Sequence, residues 1–161
     1  LSALVTYEKG LPVASDALLR LAVLMPDTQT ADAVASSLRL SRRRTQRLRA
    51  ALNHPGADLA QRPQYYLHYN GAPCVSDHAA MALADGQISP REAGSVLAMA
   101  AEWVAPRFPL HGAEMAAAGM PEGPAMGRLL AELEAWWVAQ DFPAKRAVEA
   151  EFHRRWPSGK N

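Results

Sequence analysis

The stretch Phe108-Pro109-Leu110-His111-Gly112-Ala113-Glu114, continued by Gly119-Met120-Pro121-Glu122-Gly123-Pro124-Ala125-Met126-Gly127 and closed by Trp136-Trp137, reads as two helices joined by a tight glycine-proline corner. Gly119 can take a positive φ just past a helix end, where a side chain would clash. Gly123 and Pro124 suit the cap and first turn of the next helix, because proline there gives up an N–H that has no intrahelical partner. The corner also leaves the N–H groups of Ala125 to Gly127 at a helix start, where a phosphate is a natural guest. A structural alternative stands beside that one: Gly127 can simply let two helices approach closely.

The same punctuation recurs upstream. Asp16 or Ser15 can cap a helix through Leu18, Leu19, Leu21, Ala22 and Leu24, which Pro26 stops. Thr30 is expected to cap a second helix, with Ala33, Val34 and Leu38 on one face. Ser41 is expected to cap a third, carrying Thr45, Leu48 and Leu52 and ending at Pro55-Gly56. A Tyr-rich segment, Tyr65 to Tyr69, stops at Asn70-Gly71, and another helix follows Pro73 to Asp85-Gly86. Ser89-Pro90-Arg91-Glu92 is a capping box that opens a helix through Val96, Leu97, Ala100 and Trp103. Beyond the corner, Met126, Leu129, Leu130, Leu133, Trp136 and Trp137 form the seam of a long helix, and Pro143 starts a last one. No alternating strand pattern of useful length occurs. The spacing therefore predicts an all-α array of short helices, with a soft boundary near residues 104–109.

Composition agrees. Hydrophobic residues make up 49% of the 161, while aromatics are 7% and β-branched residues sparse, a balance that favours helix over sheet. The single cysteine, Cys74, excludes an internal disulfide and fits a reducing, cytoplasmic setting. No apolar run reaches membrane-spanning length, and the start shows no signal-peptide pattern. The chain begins at Leu1 rather than Met, so it is expected to be a fragment.

Net charge is only +1, but it is unevenly distributed. Residues 1–70 carry nine Lys/Arg against five Asp/Glu, and residues 71–161 carry eight against eleven. No acid lies between Asp32 and Asp58, and Arg39, Arg42, Arg43, Arg44, Arg47 and Arg49 fall inside that gap. Such asymmetry points to an anionic partner for the first half. On a helix capped by Ser41, Arg42 to Arg44 occupy the first turn, where cations oppose the helix dipole. A phosphate at that end would offset the repulsion. On a helical wheel Arg42 and Arg49 flank one side of the Leu48/Leu52 stripe, and Arg43 and Arg47 the other. The pattern is a broad basic surface rather than a base-reading row; the competing reading is a solvated arginine-rich face.

Other constellations are weaker. Tyr65, Tyr66 and Tyr69, with Arg62 and His68, form either a stacking platform for unpaired bases or a core-and-rim cluster. Cys74 and His78, four apart, lack a second ligand pair for zinc, and no nucleophile triad can be assembled. His54, His111 and His153 stand alone, and Glu132 and Glu134 point to different helix faces.

At the corner the chain resembles the C-terminal part of class II tRNA nucleotidyltransferases, the CCA-adding enzyme and poly(A) polymerase family. The matching residues are Pro109-Leu110-His111-Gly112-Ala113-Glu114-Met115, Gly119-Met120, Gly123-Pro124-Ala125-Met126-Gly127 and Leu130, with Glu114 where Asp is commoner. Leu133 to Phe142 is similar to the α-proteobacterial branch. Leu18 to Ala22, Leu38 to Arg42 and, more weakly, Gln64 to Gly71 resemble the family's body helices. The resemblance implies a helical body-like region over residues 1–105, a tail-like region over 106–161, and a catalytic head that is absent. That head carries a Gly-Gly motif and paired metal-binding aspartates, and this chain has neither a Gly-Gly pair nor an Asp-x-Asp. By itself the chain is then expected to need no cofactor and to add no nucleotide. The parent enzyme would use Mg2+ with CTP and ATP.

The implied role is to hold tRNA, through Arg39, Arg42, Arg43, Arg44, Arg47 and Arg49 and through Gly112, Gly123, Gly127 and Arg128. RNA helices are gripped chiefly through backbone and shape, which distributed arginines suit. Two rivals remain from the residues alone: a DNA-binding helical regulator with Ser41 to Leu52 as recognition helix, and a helical module that docks on an acidic protein.

Overall fold

A computed structural model of the chain describes residues 16–157 and, before them, Val5. Ser15, one of the two expected caps of the first helix, lies outside the described residues. Nine α-helices and no strand are found among the described residues, so the all-α class is established. The chain divides into two compact units, Leu1–Val104 and Ala105–Asn161.

In the first unit, α1 (Ala17–Ala22) is capped by Asp16, whose carboxylate accepts the N–H groups of Leu18 and Leu19. α2 (Thr28–Ser37) is capped by Asp27, not by Thr30. Thr30 sits three residues inside and donates its N–H to Asp27 at 2.7 Å. Asp and Thr both cap well, and the carboxylate that comes first in the chain takes the role. α2 ends on Arg39 in the left-handed region, φ 51°, a position usually left to glycine. The Leu40 N–H then reaches the Ala35 carbonyl at 2.9 Å and closes the turn.

After the four-residue link 38–41, α3 (Arg42–Leu52) begins, with Ser41 Oγ accepting the Arg44 N–H. A short α4 (Asp58–Gln61), which the spacing did not announce, leads into α5 (Pro63–Ala84). The expected stop at Asn70-Gly71 is a break inside α5: Gly71 has φ 76° and ψ 160°, and Pro73 opens the second half. The capping box forms as read at the start of α6 (Pro90–Glu102), where Glu92 accepts the Ser89 N–H and Ser89 Oγ accepts that of Glu92.

Two apolar clusters hold this unit. Leu19, Ala22, Ala31, Leu48, Ala51 and Met81 belong to one. Leu59, Leu67, Val75, Ala79, Val96 and Ala100 form the other, beneath the Tyr66 and Trp103 rings. α5 packs along α6 and also against α3, so its second half is buried on nearly all sides.

In the second unit, α7 (Gly112–Ala117), α8 (Pro124–Ala139) and α9 (Lys145–Arg155) pack with α8 against both neighbours. The corner forms as read: Gly119 has φ 95°, Gly123 caps α8 at φ 148°, and Pro124 is its first residue. Trp137 is 3% exposed, donates its indole N–H to the Pro143 carbonyl at 2.8 Å, and meets Phe142 edge-on at 4.8 Å. Those contacts hold Asp141 and Phe142 in the left-handed region, a conformation that costs roughly 1–2 kcal/mol for each side-chain-bearing residue. Of the tryptophan pair, Trp137 is core and Trp136 only half-buried.

Glu151 clamps the end of α9. Its carboxylate accepts from Arg154 and from Arg155, which hold its pKa down to about 2 from an ordinary 4.5. A depressed carboxylate stabilises the fold above its unfolded pKa, and the contribution disappears as pH falls through the folded value. The urea midpoint of the second unit should therefore exceed that of Glu151→Gln at neutral pH. The difference should close between about pH 4.5 and pH 2. Tryptophan fluorescence checks this in a Trp103→Phe background, which leaves emission only from residues 105–161.

Candidate nucleic-acid interface

The six arginines of the basic segment do not form one surface; the structure sorts them into two groups. Arg47 and Arg49, on either side of the buried Leu48, have internal partners. Arg47 Nε and Nη2 donate to Asp77 at 2.6 and 2.7 Å, and Nη2 also reaches Asp16 at 2.7 Å. Arg49 makes the same two-pronged contact with Asp32 on α2, at 2.5 and 2.7 Å. The hydrogen bonds to Asp77 raise the Arg47 pKa further, and those from Arg49 hold Asp32 below the usual carboxylate range. Asp16 is partly desolvated, which alone would raise its pKa. The Arg47 guanidinium and the N–H groups of Leu18 and Leu19 outweigh that and lower it.

Two of the six residues expected to meet phosphate thus have carboxylate partners within the fold, while their side chains stay 41% and 51% exposed. Sequence spacing hid this, because the partners lie 30 and 17 residues away. The remaining four, Arg39, Arg42, Arg43 and Arg44, are exposed and have no acid within ion-pair distance among the described residues. They lie where α2 ends and α3 begins, so the broad basic face contracts to one end of α3. Beside it Ser41, Arg43, Arg44, Arg47 and Pro73 line a surface cleft of about 410 Å³.

The acids around this corner are neutralised. Between Asp32 and Asp77 the sequence holds one acid, Asp58. Asp32 is paired with Arg49, Asp77 with Arg47, and Asp58 with Arg62 at 2.6 Å. Asp58 also accepts the Tyr66 hydroxyl at 2.5 Å, so Tyr66 serves the fold. Among the described residues, segment 33–76 therefore presents unpaired positive charge and no unpaired carboxylate. That electrostatic shape favours a polyanion over a point ligand.

The corner of the second unit is built differently. Glu114 accepts the His111 N–H at 2.9 Å and pairs with Lys145, so it is a structural residue. Gly112 is half-buried, and a Cβ there would sit 3.5 Å from the Met126 sulfur, which turns this glycine toward α8. At Gly127 a Cβ would meet nothing within 4 Å, so close helix packing is not what this glycine serves. Arg128 beside it is exposed.

Cys74 and His78 do touch, with Sγ 3.5 Å from Nε2, but as a neutral pair. Burial pushes the thiol pKa up and the imidazole pKa down, and Nε2 faces the Ala50 carbonyl at 3.0 Å. His54 bridges the Gly56 N–H and Asp85, a turn-holding role. No group of three or more His, Cys, Asp or Glu side chains arranged to hold a metal occurs among the described residues. Nor is any helix among them long and apolar enough to cross a membrane.

Comparison of the chain with models of protein families, with curated proteins and with solved structures finds no match.

The two arginine groups should separate in stability. Asp77→Ala leaves Arg47 short of its main partner. The cost should be about 1–3 kcal/mol, below that of a fully buried pair because the Arg47 side chain is 41% exposed. Replacing Arg42, Arg43 and Arg44 together with alanine should leave the thermal midpoint unchanged or raise it, since cations in a first helical turn oppose the dipole. Thermal unfolding by circular dichroism distinguishes the two outcomes.

Proposed function

We propose that the chain is an RNA-holding module that grips the phosphate backbone, with tRNA as the substrate class its resemblance implies. The observation that carries this reading is the charge sorting in residues 33–76. The acids of and flanking that segment, Asp32, Asp58 and Asp77, are each matched to an internal arginine, while Arg39, Arg42, Arg43 and Arg44, at one helix end, have no acidic partner among the described residues. Phosphates there would relieve the clash between those cations and the helix dipole. In this reading Arg47 and Arg49 shape the grip without touching RNA. The second unit contributes Gly123, Gly127 and Arg128, where the open space over Gly127 leaves the start of α8 accessible. Nucleotide addition with Mg2+, CTP and ATP would belong to a head domain joined to this chain in a CCA-adding enzyme or poly(A) polymerase, acting in the cytoplasm.

One observation favours a second reading. α2 and α3 are joined by residues 38–41, a four-residue turn whose left-handed residue is Arg39. A link of that length also joins the two helices of a helix-turn-helix, in which Arg42 to Arg44 would stand at the start of the recognition helix. Titrating tRNA and duplex DNA at matched salt separates the readings: the RNA module requires tighter tRNA binding, and tighter duplex binding favours the regulator. No binding to either at physiological salt leaves a protein-docking module.

On tRNA, binding should weaken steeply with salt. Arg42/Arg43/Arg44→Ala should lower the log–log salt slope by about one for each arginine that meets a phosphate. An unchanged affinity and slope would refute the grip. For the second unit, Gly127→Ala should stabilise α8 by about 0.5–1 kcal/mol and at the same time weaken tRNA binding. Stabilisation with unchanged binding would remove the corner from the interface.

A further inference from the structure

Two clefts of the first unit meet at the start of α3. One, of about 440 Å³, is lined by Leu18, Leu21 and Leu40 together with Asp16, Arg44 and Arg47. The other is the basic cleft lined by Ser41, Arg43, Arg44, Arg47 and Pro73. Arg44 and Arg47 line both, so an apolar cleft and a cationic one adjoin across a single pair of side chains. The left-handed turn at Arg39 helps to build the apolar one. It brings the Leu40 N–H back to the Ala35 carbonyl at 2.9 Å, and Leu40 packs against the same core as Leu18 and Leu21. All three leucines are only half-buried, so the cleft keeps apolar surface in contact with water.

The linings select the guest. Asp16 is the one acid among the described residues that line the two clefts, and it is paired with Arg47 at 2.7 Å. Arg43 and Arg44 have no acidic partner among the described residues. A fitting occupant is therefore anionic where it meets Arg43 and Arg44 and apolar where it meets the leucines. A nucleotide joins those two parts directly. Its flat base needs apolar surface under one face and tolerates water at its edges, whereas an acyl chain gains most from full enclosure. The guanidinium plane of an arginine such as Arg44 also stacks on bases. A base within a duplex is covered on both faces by its neighbours, so the cleft calls for an unpaired one.

We propose that the cleft floored by Leu18, Leu21 and Leu40 receives an unpaired base of an RNA whose adjoining phosphate sits at Arg43 and Arg44. This rests on the RNA reading above and adds a substrate feature to it: an unpaired nucleotide next to a helical stem.

Ala17 is exposed and lines the leucine cleft, so a larger side chain there fills the cleft without replacing a core residue. The test compares two RNAs on the full chain, a blunt hairpin and the same hairpin with an unpaired uridine tail that begins with a photoreactive thiouridine. Wild type should bind the tailed RNA at least about fivefold more tightly. Irradiation should crosslink the thiouridine to the segments that line the clefts, residues 16–21 or 40–47. Ala17→Leu should lose the tail preference and bind the blunt hairpin as wild type does, while Ala17→Ser, which leaves the cleft its room, should keep the preference. An unchanged helical circular-dichroism signal excludes misfolding, and the wild-type crosslink decides the site even where a variant does not fold. Equal wild-type affinity for the two RNAs, a crosslink confined to other residues, or a tail preference that survives Ala17→Leu each overturns the base cleft, as does an equal loss on both RNAs. The backbone grip fails on a different result, namely Arg42/Arg43/Arg44→Ala binding the blunt hairpin as wild type does.

Discussion

The first unit depends on one side chain, Arg47, placed between two carboxylates from different helices. Asp16 caps α1 and accepts from Arg47; Asp77 lies on the buried half of α5 and takes both prongs of the guanidinium. One cation in the middle of α3 thus fixes where α1 starts and where α5 passes. Partly buried ion pairs add little net stability over apolar packing, but they penalise an arrangement that leaves the more buried partner, here Asp77, unpaired. Arg47 therefore acts on register more than on depth of stability. The neighbouring Leu48 supplies the apolar burial, and Arg49 adds an exposed ion pair to Asp32 of α2, which is worth little in stability.

That sorting also explains what the sequence could and could not reveal. Local chemistry was legible wherever both partners lie within a turn. Ser41 capping α3, the Ser89–Glu92 box, the break at Gly71 and the Gly119 to Pro124 corner all follow from residues a few positions apart. The cap of α2 was misread because Asp27 and Thr30 stand three apart and each has capping chemistry; only the backbone decides which one is outside the helix. Pairings of arginine with acid were not legible at all. A run of six arginines offers many partners to distant acids, and nothing local says that Arg47 and Arg49 reach carboxylates on neighbouring helices while Arg42, Arg43 and Arg44 do not. The periodicity did carry a clue: the acid-paired arginines flank the one leucine of α3 that is fully buried. Residues beside a buried position are the ones that can reach neighbouring helices.

The arginines that remain are in the least favourable place a helix offers. Arg42 to Arg44 meet the positive end of the α3 dipole, and Arg39 adds a fourth charge from a backbone conformation that disfavours side chains. Each of these choices costs stability, and no internal contact among the described residues offsets it. Local rules broken together at one place are expected where a fold serves a ligand rather than itself. The chemistry of the spot, exposed guanidinium groups beside first-turn N–H groups, is complementary to phosphate oxygens and has no fixed geometry for reading bases.

The two glycines of the second unit's corner show why a motif residue has to be weighed one at a time. Gly123 is required by the backbone: φ 148° with ψ −170° is a conformation that side-chain-bearing residues essentially never adopt. Its presence says only that the chain turns there. Gly127 is helical, and a methyl group in its place would touch nothing. Inside a helix glycine is worse than alanine by about 1 kcal/mol, so Gly127 weakens α8 with no return in packing or turning. What it leaves is room over the first turn of the helix, beside the exposed Arg128. Of the residues in that corner, Gly127 is the one that the fold does not account for, and it is there that a function must be sought.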